Sequence, residues 1–333
     1  MRSPRVRKAA LITVAAALLA SCSSAPSGSA LPSLPSPSSP SVVSASRHAK
    51  PKPNLKLLKL QHPTGGAKLL RVVIPAKDGF TPRPAYLYLP PAAVRDPHLH
   101  LPVLELLHGT PGAPLDWPSV RGKLVSTEDA FASTHHGEAP IVVMPDINGT
   151  QGSDSECIRT KNGKSTENYL SSDVVSWVRT HFAAAVGTQK WWIAGLSEGG
   201  TCSLMLAMRH PRTYSAFGDF SGLANLSVSG LKTAASNEQL YRSDPVAMRT
   251  HDPLWLLTHR RYPDLRGWFE CGDTDHVVYA AQARLVAAAR TAHIPVHASL
   301  YAGSHSWAVW SDALKLMLPW LWNSAPAVPG HST

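Results

Sequence analysis

Short apolar runs alternate along the chain with segments whose apolar residues recur at the helical period. The apolar runs are bounded by Gly, Pro or Asp and predict β-strands. They cover residues 69–76, 84–89, 102–107, 141–144, 191–194, 215–220, 266–271 and 295–301. Helices are predicted over 167–182, in two short pieces within 238–258, over 277–293, and over 308–322 with a break near Pro319. Alternation of this kind predicts an α/β fold whose mostly parallel sheet is covered by helices on both faces.

The first 21 residues have the pattern of a bacterial export signal. Four basic residues lie within the first eight positions, and residues 9–20 form an apolar run too short to span a bilayer permanently. The sequence LASC at 19–22 resembles a lipobox, which implies cleavage before Cys22 and lipidation of that residue. The chain is therefore predicted to be an extracytoplasmic lipoprotein anchored in the membrane. An ordinary secretory signal with an incidental cysteine is the alternative.

The segment that follows has too few apolar residues to build a core. Residues 22–54 are rich in Ser and Pro and predict a disordered tether behind Cys22. Fully extended, such a tether reaches on the order of 100 Å. The folded domain is expected over 55–325, followed by a disordered tail at 326–333.

Charge and metal-ligand patterns exclude several classes of function. The formal net charge of +10 includes the four basic residues of the export signal, so the mature chain is near +6. Acidic and basic residues are otherwise interspersed, which favours mild attraction to anionic surfaces and argues against nucleic-acid binding. No C-x-x-C pair is present and the 16 histidines are scattered, so neither a metal nor a cofactor is predicted.

One motif carries a specific chemical expectation. Gly195-Leu196-Ser197-Glu198-Gly199 is a G-x-S-x-G pattern between a predicted strand and a predicted helix. In that context the sharp turn exposes the serine above the sheet edge as a nucleophile. The alternative is a glycine-rich turn whose serine has no catalytic role.

A serine nucleophile needs a base, and the base needs a residue that orients it. The chain supplies Ser197, Asp275 and His305 in that order, each just beyond the C-terminal end of a predicted strand. Open α/β sheets place their sites at this edge, and the order Ser, Asp, His is that of the α/β-hydrolase scaffold.

Other residues compete for two of these roles. His108 is the main alternative base, but it precedes a turn and is expected to position that loop. Asp273, two residues before Asp275, and the more distant Asp219 are alternative acids. Asp275 is favoured because its spacing lets the strand finish before the loop bends towards the histidine.

An oxyanion hole requires two N–H donors. The backbone of Glu198, directly after the nucleophile, is predicted to supply one of them. The other is expected from the loop after residues 102–107. Pro111 has no N–H, which leaves Thr110 first and Gly109 second.

Six segments together resemble the esterase D and enterochelin-esterase-like family of α/β hydrolases, to which the secreted mycolyltransferases are related. They are LLHGTPG at 106–112, VMPDINGT at 143–150, DVVSWV at 173–178, GLSEGG at 195–200, ECGDTD at 270–275 and GSHSW at 303–307. The resemblance implies an α/β-hydrolase core of about eight strands and a serine ester hydrolase or acyltransferase. It places nucleophile, acid and base on Ser197, Asp275 and His305. It does not imply a substrate, since the family acts on formylthioesters, siderophore esters, acylated sugars and lipids.

Two departures from the family bear on the substrate. The lipoprotein tether and the cysteine-bearing loop at 152–165 argue against a cytosolic thioester. The leading interpretation is an extracytoplasmic serine esterase acting on a carboxylic ester, with envelope lipids and glycolipids among the candidates. An acyltransferase that moves the acyl group to a sugar or lipid alcohol is the first alternative. A non-catalytic, ligand-binding lipoprotein is the second.

Three cysteines remain once Cys22 is lipidated. Exposed free thiols are a liability in an oxidising compartment, so one pair and one leftover are expected. Cys271 ends a predicted buried strand, where a small apolar thiol fits without a partner. Cys157, in the polar loop after residues 141–144, is therefore predicted to pair with Cys202 at the start of the nucleophile helix.

Tryptophans are the remaining candidates near the site. Trp117, Trp307 and Trp310 either line an acyl or aromatic pocket or belong to the core.

Overall fold

The computed structural model describes residues 55–57, 64–150, 154–159, 164–184, 191–226, 233–242 and 244–324. The predicted export signal, the lipidation site Cys22, the tether up to residue 54 and the tail at 326–333 lie outside these ranges. No helix within the described ranges combines the length and apolar character needed to cross a membrane.

Nine strands form one sheet in the order β1-β2-β3-β5-β4-β6-β7-β8-β9. The first three strands and β5 pair antiparallel, whereas β5, β4, β6, β7, β8 and β9 run parallel. The strands are β1 (Leu55–Leu57), β2 (Lys68–Val72), β3 (Ala85–Leu89), β4 (Val103–Leu107), β5 (Ile141–Met144), β6 (Trp191–Leu196), β7 (Ala216–Phe220), β8 (Arg266–Gly272) and β9 (Val296–Tyr301). The predicted fold class is confirmed, with the short β1 added to the expected eight strands.

Helices lie on both faces of the sheet. They are α1 (Pro91–Arg95), α2 (Leu124–Ser133), α3 (Thr166–Asn168), a π-helical segment (Tyr169–Val174), α4 (Val175–His181), α5 (Glu198–Arg209), α6 (Thr233–Tyr241), α7 (Pro245–His251), α8 (Pro253–His259), α9 (Tyr279–Thr291) and α10 (Trp307–Asn323). One apolar cluster joins the sheet to α4, α5, α8 and α9, and a second joins the opposite face to α2 and α10. Because both faces are covered, the residues of β4 to β8 are buried almost without interruption instead of alternately.

The region 238–258 was predicted to form two helical pieces, and this was wrong. The structure has three helices there, because both prolines begin a helix. Pro245 and Pro253 occupy first-turn positions, where no backbone N–H is needed. Asp244 and Asp252 cap these helices by accepting hydrogen bonds from backbone N–H groups of the first turn.

The predicted break near Pro319 is also absent, since α10 continues through it to Asn323. Pro319 is exposed, and so is Lys315, the residue whose carbonyl loses its helical partner. Buried residues on either side, Leu318 and Leu321, hold both halves of the helix against the sheet. Burial of the flanking turns thus outweighs the local cost of the proline.

The predicted disulfide between Cys157 and Cys202 is confirmed. The two Cα atoms lie 5.7 Å apart, and both residues are fully buried. Cys271 is a free thiol in the core, and burial raises its pKa to about 12. The bond joins α5, the helix that follows Ser197, to the loop beyond β5.

The double variant Cys157→Ala/Cys202→Ala is expected to unfold at lower urea concentration than the wild type. The bond spans 45 positions, and a loop of that size contributes about 4 kcal/mol by the chain-entropy estimate. Cys271→Ala is the matched control because it removes a buried thiol without opening the loop. Equal stability of the double variant and this control would contradict the expectation, as would three free thiols in the unreduced protein.

Candidate active site

The turn between β6 and α5 holds Ser197 in an uncommon backbone conformation, with φ 53° and ψ −121°. Its N–H donates to the carbonyl of Phe220 on the neighbouring strand, at 2.8 Å. A Cβ atom on Gly195 would lie 2.5 Å from the backbone of Gly199, and one on Gly199 would lie 2.4 Å from the carbonyl oxygen of His108. Only glycine fits at these two positions, so the G-x-S-x-G pattern is a packing requirement of this turn.

His305 joins the other two predicted side chains into one chain of hydrogen bonds. Its Nε2 lies 3.0 Å from the hydroxyl oxygen of Ser197, and its Nδ1 lies 2.8 Å from Oδ2 of Asp275. Since a carboxylate accepts hydrogen bonds, Nδ1 carries the proton and Nε2 is free to accept one from the serine. The imidazole is about one-third exposed, whereas Asp275 is buried.

The two alternative acids lie elsewhere. Asp273 accepts a hydrogen bond from the N–H of Gly303 at 2.9 Å, so it braces the loop that carries His305. Asp219 is buried at the end of β7 and accepts from the N–H of Gly222 at 2.7 Å. Burial raises the pKa of Asp219 to about 7. Among the three aspartates, Asp275 is the one that the structure places against the imidazole.

The alternative base, His108, is enclosed in a polar network under the β4 loop. Its Nε2 accepts from the N–H of Ile147 at 3.2 Å, and its Nδ1 lies 2.8 Å from the carbonyl oxygen of Gly109. Arg83 pairs with Asp146 at 2.6 Å beside the same ring. Burial opposes ionisation of Asp146, but the neighbouring ring of His108 and the hydrogen bonds from Arg83 outweigh it and lower the pKa of Asp146. His108 therefore positions the loop, as its place before a turn suggested.

The loop after β4 passes directly beside the nucleophile. A Cβ atom on Gly109 would lie 3.1 Å from Cβ of Ser197. The next residue, Thr110, precedes a cis bond to Pro111, and its hydroxyl contacts the carboxyl of Glu198. The side chains of Thr110 and Glu198 thus join the two segments whose backbone N–H groups were predicted to bind the oxyanion.

Glu198 is the centre of a buried polar cluster that the motif alone did not reveal. Oε2 accepts from Nδ2 of Asn148 at 2.9 Å, and Oε1 accepts from the N–H of Glu156 at 3.2 Å. Burial and the neighbouring carboxyl of Asp154 raise the pKa of Glu198, against the hydrogen bonds from Thr110 and Asn148. Asn148 and Asp154 lie in segments already singled out by sequence, but neither the 143–150 motif nor the 152–165 loop disclosed this contact.

The three candidate tryptophans contribute to the core beside the imidazole. Trp117 is fully buried and donates its indole N–H to the carbonyl of Leu107 at 2.8 Å. Trp310 is buried and packs edge-on to the ring of His305, with centroids 4.9 Å apart. Trp307 is partly buried and contacts both of the other indoles. The cluster limits rotation of His305.

One group of residues in the described ranges has metal-ligand spacing, and it comprises Cys157, Glu198 and Cys202. Both sulfur atoms are committed to the disulfide, so neither is a thiolate that binds a metal. The arrangement has no ligand set for an ion here.

Known proteins share sequence and fold with this chain. A family model described as "Esterase: Putative esterase" matches residues 81–321. An uncharacterized protein of Corynebacterium glutamicum is 34% identical over 250 residues, which cover 73% of this chain and 58% of the relative. The matched part of this chain therefore spans little more than half of that relative's length.

Two solved structures resemble the fold at low sequence identity. A ferulic acid esterase is 21% identical, with a TM-score of 0.66 over 78% of this chain and 98% of the esterase. An S-formylglutathione hydrolase from Agrobacterium tumefaciens is 17% identical, with a TM-score of 0.66 over 80% of this chain and 98% of the hydrolase. These likenesses establish the α/β-hydrolase fold. Since the family model covers well over half of the chain, this protein belongs to the Esterase family.

Proposed function

We propose that this chain is an extracytoplasmic serine esterase that hydrolyses a carboxylic ester through a covalent acyl-enzyme. The observation that carries the proposal is the position of His305, which bridges Ser197 and Asp275 at 3.0 and 2.8 Å. Membership of the Esterase family supports the reaction class. A ligand-binding protein has no need of these three groups in this order on three strand ends.

In the proposed acylation step, the hydroxyl oxygen of Ser197 attacks the ester carbonyl carbon. Nε2 of His305 takes the hydroxyl proton, and Asp275 stabilises the imidazolium that results. The negative charge moves to the carbonyl oxygen, where backbone N–H groups of Glu198 and of Thr110 or Gly109 would receive it. Collapse of this intermediate breaks the ester C–O bond, and Nε2 returns the proton to the departing alcohol.

Deacylation repeats the same steps with water as the nucleophile. His305 removes a proton from water, the hydroxide oxygen attacks the acyl carbon, and Ser197 leaves with the proton returned to it. The carboxylic acid and the free enzyme are the products. An alcohol in place of water would make the enzyme an acyltransferase. A panel of esters with increasing acyl length, assayed with and without an alcohol acceptor, separates the two reactions by their products.

The location rests on different features of the chain. The basic, apolar and LASC segments of the first 22 residues support export and lipidation at Cys22. The disulfide between Cys157 and Cys202 supports an oxidising compartment, because such bonds are rare in the cytosol.

Ser197→Ala is expected to reduce hydrolysis of p-nitrophenyl acetate by roughly 10⁴- to 10⁶-fold, because the nucleophile is removed. Labelling by a fluorophosphonate should be lost with it, since that probe reacts with an activated serine. Asp275→Asn should reduce kcat by about 10⁴-fold, because a neutral amide neither holds the reactive tautomer of His305 nor stabilises the imidazolium.

Asp273→Asn is the matched control for Asp275→Asn, because it makes the same chemical change two residues away. Its effect should stay within about tenfold, since an amide oxygen can still accept from Gly303. A larger effect of Asp273→Asn than of Asp275→Asn would show that the acid is wrongly assigned. A wild-type protein that resists the fluorophosphonate would favour the binding protein.

Glu198→Gln is expected to change the dependence of kcat on pH. Burial and the carboxyl of Asp154 raise the pKa of Glu198 to about 8, so raising the pH through that value removes its proton. The new negative charge lies beside the backbone N–H proposed to bind the oxyanion, so kcat of the wild type should fall about tenfold or more in the alkaline range. The Gln variant should lack this fall. Identical alkaline limbs for both proteins would contradict the proposed role of this N–H.

The mature protein is expected to sediment with membranes and to carry a lipidated Cys22 as its first residue. Cys22→Ala should abolish the modification while leaving esterase activity intact, because Cys22 lies at the far end of the tether from the predicted folded domain. Mass spectrometry of the N-terminus gives the result. An unmodified N-terminus at another position would refute the lipoprotein assignment.

A further inference from the structure

A cleft of about 400 Å³ lies where the chain leaves α5 and where it enters β8. Residues from the end of α5 and the following turn form one wall, and the segment between α8 and β8 forms the other. The residues used below are Arg209, Arg212, Arg260, Arg261, Tyr262 and Asp264. Its volume is within the range of small-ligand sites.

The cleft and the proposed catalytic residues lie at opposite ends of the parallel strands. It opens at the N-terminal ends of the parallel strands β7 and β8, which begin at Ala216 and Arg266. Ser197, Asp275 and His305 follow the C-terminal ends of strands in the same parallel set. A ligand in the cleft would therefore not occupy the ester site.

Positive charge exceeds negative charge among the residues that line this cleft. Arg209 is neutralised by Glu167 at 2.7 Å and forms part of the wall. The exposed side chains of Arg212, Arg260 and Arg261 form no salt bridge with any residue of the described ranges. Asp264 lines the cleft but does not pair with them, so an excess of positive charge remains.

Tyr262 adds a second, independent feature. The residue is 7% exposed, and its hydroxyl is buried without a well-formed hydrogen bond to any described residue. The guanidinium of Arg260 lies close enough to act on it electrostatically. A guanidinium donates and cannot accept, so a hydrogen bond from Arg260 leaves the hydroxyl hydrogen of Tyr262 without an acceptor, which a ligand oxygen would supply.

We propose that this cleft binds a phosphate-bearing ligand through Arg212, Arg260, Arg261 and the hydroxyl of Tyr262. Guanidinium groups match phosphate oxygens with paired N–H donors, and the phenol supplies one further donor. A phosphate also offsets the mutual repulsion of the three cations. The phosphate can belong to a soluble molecule or to the headgroup of an anionic phospholipid.

Two probes test the proposal on the full chain, with Cys22→Ala present in every sample so that no lipid anchor contributes to vesicle binding. Inorganic phosphate is titrated calorimetrically, and vesicles containing phosphatidylglycerol are compared with vesicles of phosphatidylcholine alone by co-sedimentation. The triple variant Arg212→Ser/Arg260→Ser/Arg261→Ser should weaken binding of at least one probe by tenfold or more, because each lost charged hydrogen bond alone costs about tenfold. Tyr262→Phe, which removes only the hydroxyl, should weaken it by about threefold to tenfold.

The control variant Lys68→Ser/Arg284→Ser/Lys315→Ser removes the same charge from exposed positions outside the cleft. It should bind within about twofold of the wild type. Thermal unfolding verifies that each variant folds, and single charge reversals at Arg212 and Arg261 replace the triple variant if it does not.

If the triple variant loses binding of inorganic phosphate, the ligand is a soluble phosphate. If it loses only vesicle binding, the ligand is a lipid headgroup. Equal losses of binding in the control variant would show that the effect comes from net charge alone, and this would overturn the proposed site. Failure of the wild type to bind either probe would overturn it as well. Esterase activity plays no part in these readouts, so the outcome is separate from that of the proposed function.

Discussion

The turn at Ser197 is the constraint on which the site depends. Its backbone is held at a positive φ between a buried strand and a buried helix, and the turn closes only because Gly195 and Gly199 lack side chains. The sheet supplies the rest, since parallel strands bring their C-terminal ends to one edge. Two loops at that edge carry Asp275 and His305, and the loop after β4 passes beside the serine. A change that loosened the turn would move the nucleophile away from partners whose own positions are fixed by other strands.

Buried polar groups hold the surrounding loops in place. Under the β4 loop, Asp146 pairs with Arg83 and lies 3.2 Å from the ring of His108, so these three side chains form one buried polar group. Beside the nucleophile, Glu198 plays a similar part for the loops that follow β4 and β5. The disulfide then ties the second of these loops to α5. The site is thus preorganised by interactions that themselves take no part in bond making.

Much of this arrangement could be predicted because the relevant signals are local. Short apolar runs marked the strands, and the residues after them gave the order Ser197, Asp275, His305 that the fold brings into contact. The wrong predictions concern prolines that were expected to interrupt helices, because capping and tertiary packing decide what a proline does to a helix. Pro245 and Pro253 were interpreted as interruptions although preceding aspartates make them helix starts. Pro319 was interpreted as a break although burial on both sides keeps α10 intact. The contacts of Asn148 and Arg83 could not be predicted, because nothing in the sequence states which distant loop a polar side chain will meet.

The last strand, β9, has a consequence for how the protein loses activity. It is an edge strand that pairs with β8, and its residues are exposed or half-exposed. The imidazole is carried four residues beyond its end. Edge strands with little buried area fray at a lower free energy than the global transition. Heating is therefore expected to separate the imidazole from the serine by local opening of this edge while the central strands stay closed, so that inactivation and unfolding have different midpoints.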